Sequence, residues 1–132
     1  MTFKFINPES LGTPSGFSNG VLTETSAKFL FIAGQIAWDS NQKIVSDDFV
    51  AQFDRALANV IAVVTEAGGT PEKIVRLVIY VTDKESYRKR TREIGERYRA
   101  RMNKHFPAMV LVEVKSLLDD QAQVEIEGIA AL

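Results

Sequence analysis

Three glutamates near the end of the chain stand where carboxylates could do chemistry. Glu113 lies in FPAMVLVEV (residues 106–114), and Glu125 and Glu127 lie in VEIEGIAAL (residues 124–132). Both runs are otherwise built from core-type residues. Side chains alternate along a strand, so Met109, Leu111 and Glu113 share one face, and Val110, Val112 and Val114 the other. Glu125 and Glu127 share a face opposite Val124 and Ile126. An isolated buried charge is very costly, so such carboxylates must be solvated at a cleft or paired. In a cleft, a carboxylate tuned by burial can orient or deprotonate a water. The competing reading pairs them with Arg76, Arg55 or Lys115, or leaves them facing water on an open sheet. The pattern alone does not choose.

Other chemistry is thin. There is no cysteine, which removes disulfides, thiolate nucleophiles and Cys-based metal sites together. With His105 the only histidine, a zinc site would need mostly carboxylate ligands. Nothing brings His105 near a serine elbow, and its place between a helix end and Pro107 suits a helix-terminal charge. Gly68-Gly69 reads as a helix stop, not a phosphate loop. Trp38 and Asp39 follow Gly34-Gln35-Ile36 and could rim a pocket. Lys84, Arg88, Lys89, Arg90, Arg92, Arg97, Arg99, Arg101 and Lys104 make nine of the sixteen basic residues. They suggest a nucleic-acid footprint or a solvated helix face. The nearby aromatics sit at core spacing and the net charge is −1, which favours the solvated face.

The elements that must position these residues follow from periodicity. Residues 3–6 read as a short strand ended by Asn7-Pro8, and residues 8–20 as a loop rich in Pro, Gly and Ser. Residues 18–24 and 28–36 read as two strands joined by a turn near Thr25–Lys28. The second, KFLFIAGQI, is apolar on both faces and is predicted to be central and buried. Gly34 breaks it where the backbone bends or something approaches closely. Asp39–Gln42 is a turn. Residues 48–67 are the clearest helix, with Phe49, Phe53, Leu57, Val60, Val64 and Ala67 on one stripe and Ser46 or Asp47 as N-cap. Residues 75–82 form a strand. Residues 85–103 form a second helix, with Tyr87, Ile94, Tyr98 and Met102 inward, and two strands follow. The order β-β-β-α-β-α-β-β predicts an α+β fold: one mixed β-sheet with two helices packed on one face.

The length suits a single domain over residues 1–132, large enough to bury about two-thirds of its unfolded surface. MTFKFINPES lacks the apolar run of a signal peptide, and no segment is long and apolar enough to span a bilayer. A cytoplasmic protein that does not engage the membrane is expected.

Three stretches carry a wider resemblance: AGQIAWD, AQFDRALANVIAVVTEAGGTPEKIVRLVIYVTD, and FPAMVLVEV with VEIEGIA. From about residue 17 to 130 the chain resembles the YjgF/YER057c/UK114 family. That family is also called Rid, for reactive intermediate deaminase, with the older label L-PSP endoribonuclease or translation inhibitor. The resemblance implies a chorismate-mutase-like fold and a homotrimer with small-molecule clefts between subunits. It also implies cofactor-free hydrolysis of 2-imino or enamine acids to keto acids and ammonia.

The resemblance also implies where this chain departs. The family's carboxylate-gripping arginine falls at Met109, its serine before Gly-Gln at Ala33, its N-terminal tyrosine at Phe17, and its cysteine at Leu111. The glutamate held to orient the hydrolytic water is retained as Glu125. A thioether cannot reproduce a bidentate guanidinium–carboxylate contact. Phe17, Ala33, Trp38, Met109 and Leu111 are therefore expected to shape a cleft for a neutral or apolar ligand, with Glu125 positioning water. An arginine of helix 85–103, in the register around Thr91–Arg92, could substitute by reaching in. Two rivals stand beside this deaminase-like reading. One is a non-catalytic metabolite-binding or regulatory trimer. The other is an RNA-binding or RNA-cleaving protein, which lacks a histidine pair, a metal cluster and a net positive charge. No metal or cofactor is expected.

Overall fold

The computed structural model describes residues 3–24 and 27–132. Its order is β1 (Phe3–Ile6), β2 (Gly20–Thr23), β3 (Phe29–Gln35), α1 (Phe49–Glu66), β4 (Ile74–Val81), α2 (Lys84–Lys89), α3 (Thr91–Met102), β5 (Ala108–Glu113) and β6 (Val124–Ala131). Short 3₁₀ turns occupy Glu9–Leu11 and Pro71–Lys73. The main sheet runs β3-β6-β4-β5, with β4 and β5 parallel and the other pairs antiparallel. This is the expected α+β class with a mixed sheet. Among the described residues no helix is long and apolar enough to cross a membrane.

Helix α1 forms because its apolar residues recur at helical spacing and its ends are marked. The side chain of Asp48 accepts from the amide of Ala51 at 3.0 Å, so the N-cap is Asp48 and not Ser46 or Asp47. Phe49, Phe53, Leu57, Val60 and Val64 are buried, whereas Ala67 is the exposed C-cap. The stripe packs on Ile74, Leu77, Val124 and Ile126 of the central strands. Removing one such side chain, as in Leu57→Ala, costs about 2–5 kcal/mol through lost burial and the cavity left behind.

Three elements depart from the sequence reading. First, β1 and β2 pair with each other as a separate two-stranded ribbon. The ribbon's end is held to the β5 edge by a Ser18–Ala108 bridge and by the Ser18 amide donating to the Pro107 carbonyl. The expected turn between β2 and β3 falls partly on Thr25 and Ser26, outside the described residues. Second, β3 is an edge strand, not a central one. Ile32 points to the helices and is buried, while Phe29 and Phe31 stand 58% and 74% exposed on the far face. A run apolar on both faces records two faces that want cover, and here the chain covers only one. Third, the helix expected over 85–103 breaks at Arg90. No Gly or Pro marks the break; Arg90 turns its guanidinium to Asp48 and Glu93 instead.

Candidate functional site

Strand parity divides the expected site residues between the two faces of the sheet. On β5, Met109 and Leu111 point toward the helices and pack against the core, whereas Val110 and Val112 are exposed on the open face. On β6, Val124 and Ile126 are buried toward the helices, so Glu125 and Glu127 face the open side. Met109 and Glu125 thus lie on opposite faces, and one copy of the chain does not bring them together. Met109 and Leu111 are partly buried against the chain's own core. On the open face of the main sheet, Val110, Val112, Phe29 and Phe31 are exposed.

The three glutamates differ in what holds them. Glu113 accepts from the Lys84 amide at 2.9 Å. Glu127 accepts a short hydrogen bond from the Tyr80 hydroxyl, which raises the tyrosine's pKa and keeps it protonated. Neither pairs with Arg76, Arg55 or Lys115. Glu125 has no hydrogen-bond or ion-pair partner among the described residues. Its carboxylate lies over Gly34: a Cβ built on that glycine would sit 2.9 Å from the carboxyl carbon. The β3–β6 register shifts between Ile32 and Gln35, so the bulge and the missing side chain together open the space Glu125 occupies. A cavity of about 340 Å³ opens beside it, lined also by Ile36, Trp38, Leu118 and Asp119. Ala33 is exposed one residue before Gly34, and its carbonyl accepts from the Gln35 amide group at 3.1 Å.

Two amides of α1 brace segments next to this cavity. The Gln52 side chain is fully buried; its Nε2 donates to the Ser46 and Gln121 carbonyls at 2.9 and 3.0 Å, and its Oε1 accepts from the Gln123 amide at 2.8 Å. That holds the segment leading into β6. Two helical turns later, Asn59 Nδ2 donates to the Ile36 and Trp38 carbonyls at 3.0 and 3.1 Å. Sequence reasoning missed both residues. A polar residue three places after Phe49, on the buried stripe, was the available signal for Gln52.

Met109 faces a second cavity, of about 410 Å³, between β5 and α3. Ser15 and Gly16 line its mouth, beside Phe17, which is 37% exposed. Tyr98 and Phe106 stack on one wall with ring centroids 5.6 Å apart. Arg99 lines the same cavity, its guanidinium lying over Gly95. Arg92, in the register expected to reach in, is instead almost fully exposed and paired with Glu96.

His105 takes no part in either cavity. Its Nε2–H donates to the Ile74 carbonyl at 2.6 Å, its own carbonyl accepts from the Tyr98 hydroxyl at 2.7 Å, and its ring meets Phe5 edge-on. It serves as a buried tether between α3, β4 and β1. Burial pushes the Tyr98 hydroxyl pKa up. Of the nine basic residues around α2 and α3, Arg88, Arg90, Arg92, Arg97 and Arg101 are paired with carboxylates of the same chain. Among the described residues no three His, Asp or Glu side chains converge as a metal site would require.

The fold and its two cavities define a class: a mixed sheet backed by helices on one side, with an acid beside one cavity on the open face and a second cavity, lined by Met109, between the sheet and α3. Comparison with known proteins identifies the family. The model for endoribonuclease L-PSP matches residues 9–132. RutC family proteins of Pyrococcus abyssi and Aquifex aeolicus are 34% identical over 103 residues and 39% over 102. The matches cover 77% of this chain in each case, and 77% and 79% of the relatives. The crystal structure of the Rid-family protein YyfB from Yersinia pestis superposes with a TM-score of 0.85 at 32% identity, over 100% of both chains. The chain belongs to the endoribonuclease L-PSP family, also known as YjgF/Rid.

Proposed function

We propose that the protein is a cofactor-free hydrolase of imines or enamines, in which residues 1–132 act as one domain and three copies assemble. The cleft is completed between copies, the Glu125 cavity of one meeting the Met109 cavity of the next. Glu125, with Trp38 and Ala33 beside it, holds the water. Met109, Leu111 and Phe17 shape the opposite wall. The water oxygen adds to the carbon of the C=N bond while its proton passes by way of the carboxylate to nitrogen. The hydroxyl proton of the resulting carbinolamine then passes by way of the same carboxylate to the nitrogen as the C–N bond breaks, leaving a carbonyl product and ammonia. The cytoplasm, where short-lived imines form, is the compartment this reading expects. The six intrachain ion pairs made by five arginines of the basic helices argue against nucleic acid as the ligand.

One observation carries the reading. Of three strand glutamates, Glu125 alone is left without a partner, and it sits over a glycine at the edge of a cavity. The test is ammonium release from freshly generated 2-iminobutanoate and from an uncharged ketimine of similar size. The protein should exceed the buffer rate on at least one, and Glu125→Gln should lower kcat/KM about a hundredfold. Unchanged turnover in the variant removes the role of Glu125. Binding without turnover by the native protein passes the site to the metabolite-binding alternative.

A further inference from the structure

We propose that Arg99 is the anion-recognising group of the Met109 cavity, and that its ligand is a small organic carboxylate with an apolar body. This rests on the reading of that cavity as a ligand cleft. It replaces the expectation, drawn from Met109 alone, that the ligand is neutral.

The argument begins with the cavity's chemistry. Met109, Phe106, Ile94 and Tyr98 make its walls apolar, and the Tyr98 hydroxyl is already spent on the His105 carbonyl. Such a cleft selects its ligand through a few placed polar groups. The polar side chains it offers are Arg99, Thr91, Ser15 and the Tyr87 hydroxyl, and only Arg99 is charged. Four neighbouring arginines, Arg90, Arg92, Arg97 and Arg101, are committed to carboxylates of this chain. Arg99 has no such partner among the described residues.

Gly95 supplies an independent observation. It lies in the interior of α3, where glycine weakens a helix relative to alanine. A Cβ built there would lie 3.0 Å from Nη1 of Arg99 and 3.7 Å from its Cζ. The missing side chain gives the guanidinium a seat one turn back along the helix, at the cavity wall. A planar fork resting there can take both oxygens of a carboxylate. The cavity's cation thus stands on the helix, while the facing strand supplies a thioether to pack on the ligand's apolar part.

The experiment compares phenylacetate with phenylacetamide by calorimetry, two probes of the same shape that differ in charge. The native protein should bind the acid at least tenfold more tightly. Arg99→Gln should weaken the acid roughly ten- to a hundredfold and leave the amide unchanged. Arg99→Lys should recover part of the loss. Gly95→Ala should weaken the acid without lowering the melting temperature, because its new methyl group displaces only the flexible end of Arg99. Equal affinity for both probes, no detectable binding of either, or full acid affinity in Arg99→Gln would overturn the proposal. Glu125→Gln separates this inference from the hydrolase reading, since it should keep the acid preference while losing turnover. Acid preference without turnover by the native protein leaves Arg99 in place and removes the hydrolase. Turnover without acid preference does the reverse.

Discussion

The two cavities of this chain are held in opposite ways. The Glu125 cavity is fastened from behind by Gln52 and Asn59, whose amides leave little freedom to the segments 36–38 and 121–123. The Met109 cavity is walled by an aromatic stack and by an exposed arginine that rests over Gly95 without an ion-pair partner among the described residues. A group that must aim a water benefits from being fixed before the reaction, because misplacement by an ångström is costly. A group that must recognise a ligand can settle its geometry on binding. The rigid half therefore suits chemistry and the looser half suits recognition.

The comparison breaks first at Gln52. Gln52→Ala should destabilise the protein by about 2–4 kcal/mol, since three backbone groups lose their partner and a buried volume empties. Urea denaturation measures it. The surviving folded protein should lose turnover before it loses acid binding. A loss below about 0.5 kcal/mol, the range of an ordinary surface change, would mean that the amide holds nothing. Gly34→Ala is the next largest. Its methyl group must push the Glu125 carboxylate aside, so kcat/KM should fall roughly ten- to a hundredfold, an effect of about 1.4–2.7 kcal/mol. Phenylacetate binding should not change. A crystal structure of the variant with Glu125 unmoved would defeat this account of the site.

How much of this was legible in the sequence depends on whether a signal is local. Helix α1, strands β4 to β6 and the parity of Glu125 against Ile126 follow from periods of 3.6 and 2 and were read correctly. The edge position of β3 was not, because a doubly apolar strand looks the same whether the second cover is its own chain or something else. The break at Arg90 rests on a contact with Asp48, forty-two residues earlier in the chain, which no window of sequence contains. The site shows the same limit. Resemblance named Glu125 and Met109, but only the sheet register shows them on opposite faces. Arg99 was one basic residue among nine until the register of α3 set it over Gly95.

The smallest effect concerns the joint that carries α3, and with it Arg99, on α1. The half-buried carboxylate of Asp54 accepts from Arg101 at 2.6 and 3.1 Å and from Arg97 at 3.1 Å. The Arg101 hydrogen bonds hold its pKa below the ordinary 3.8, against the opposing effect of burial. Because the folded pKa is depressed, the group's contribution is fully present above the unfolded value and is lost as pH falls through the folded one. Both arginines are partly exposed, so solvent screens the pair and Asp54→Asn should cost about 1 kcal/mol at neutral pH. The native and variant stabilities should converge as the pH drops below about 3.8, which thermal unfolding at about pH 7 and pH 3 would reveal. A gap that persists in acid would assign the loss to packing instead of charge. Because the joint orients α3 and not β6, the same variant should weaken phenylacetate slightly and leave the Glu125 half untouched. Equal damage to both halves would show that the two cavities are not mechanically separate.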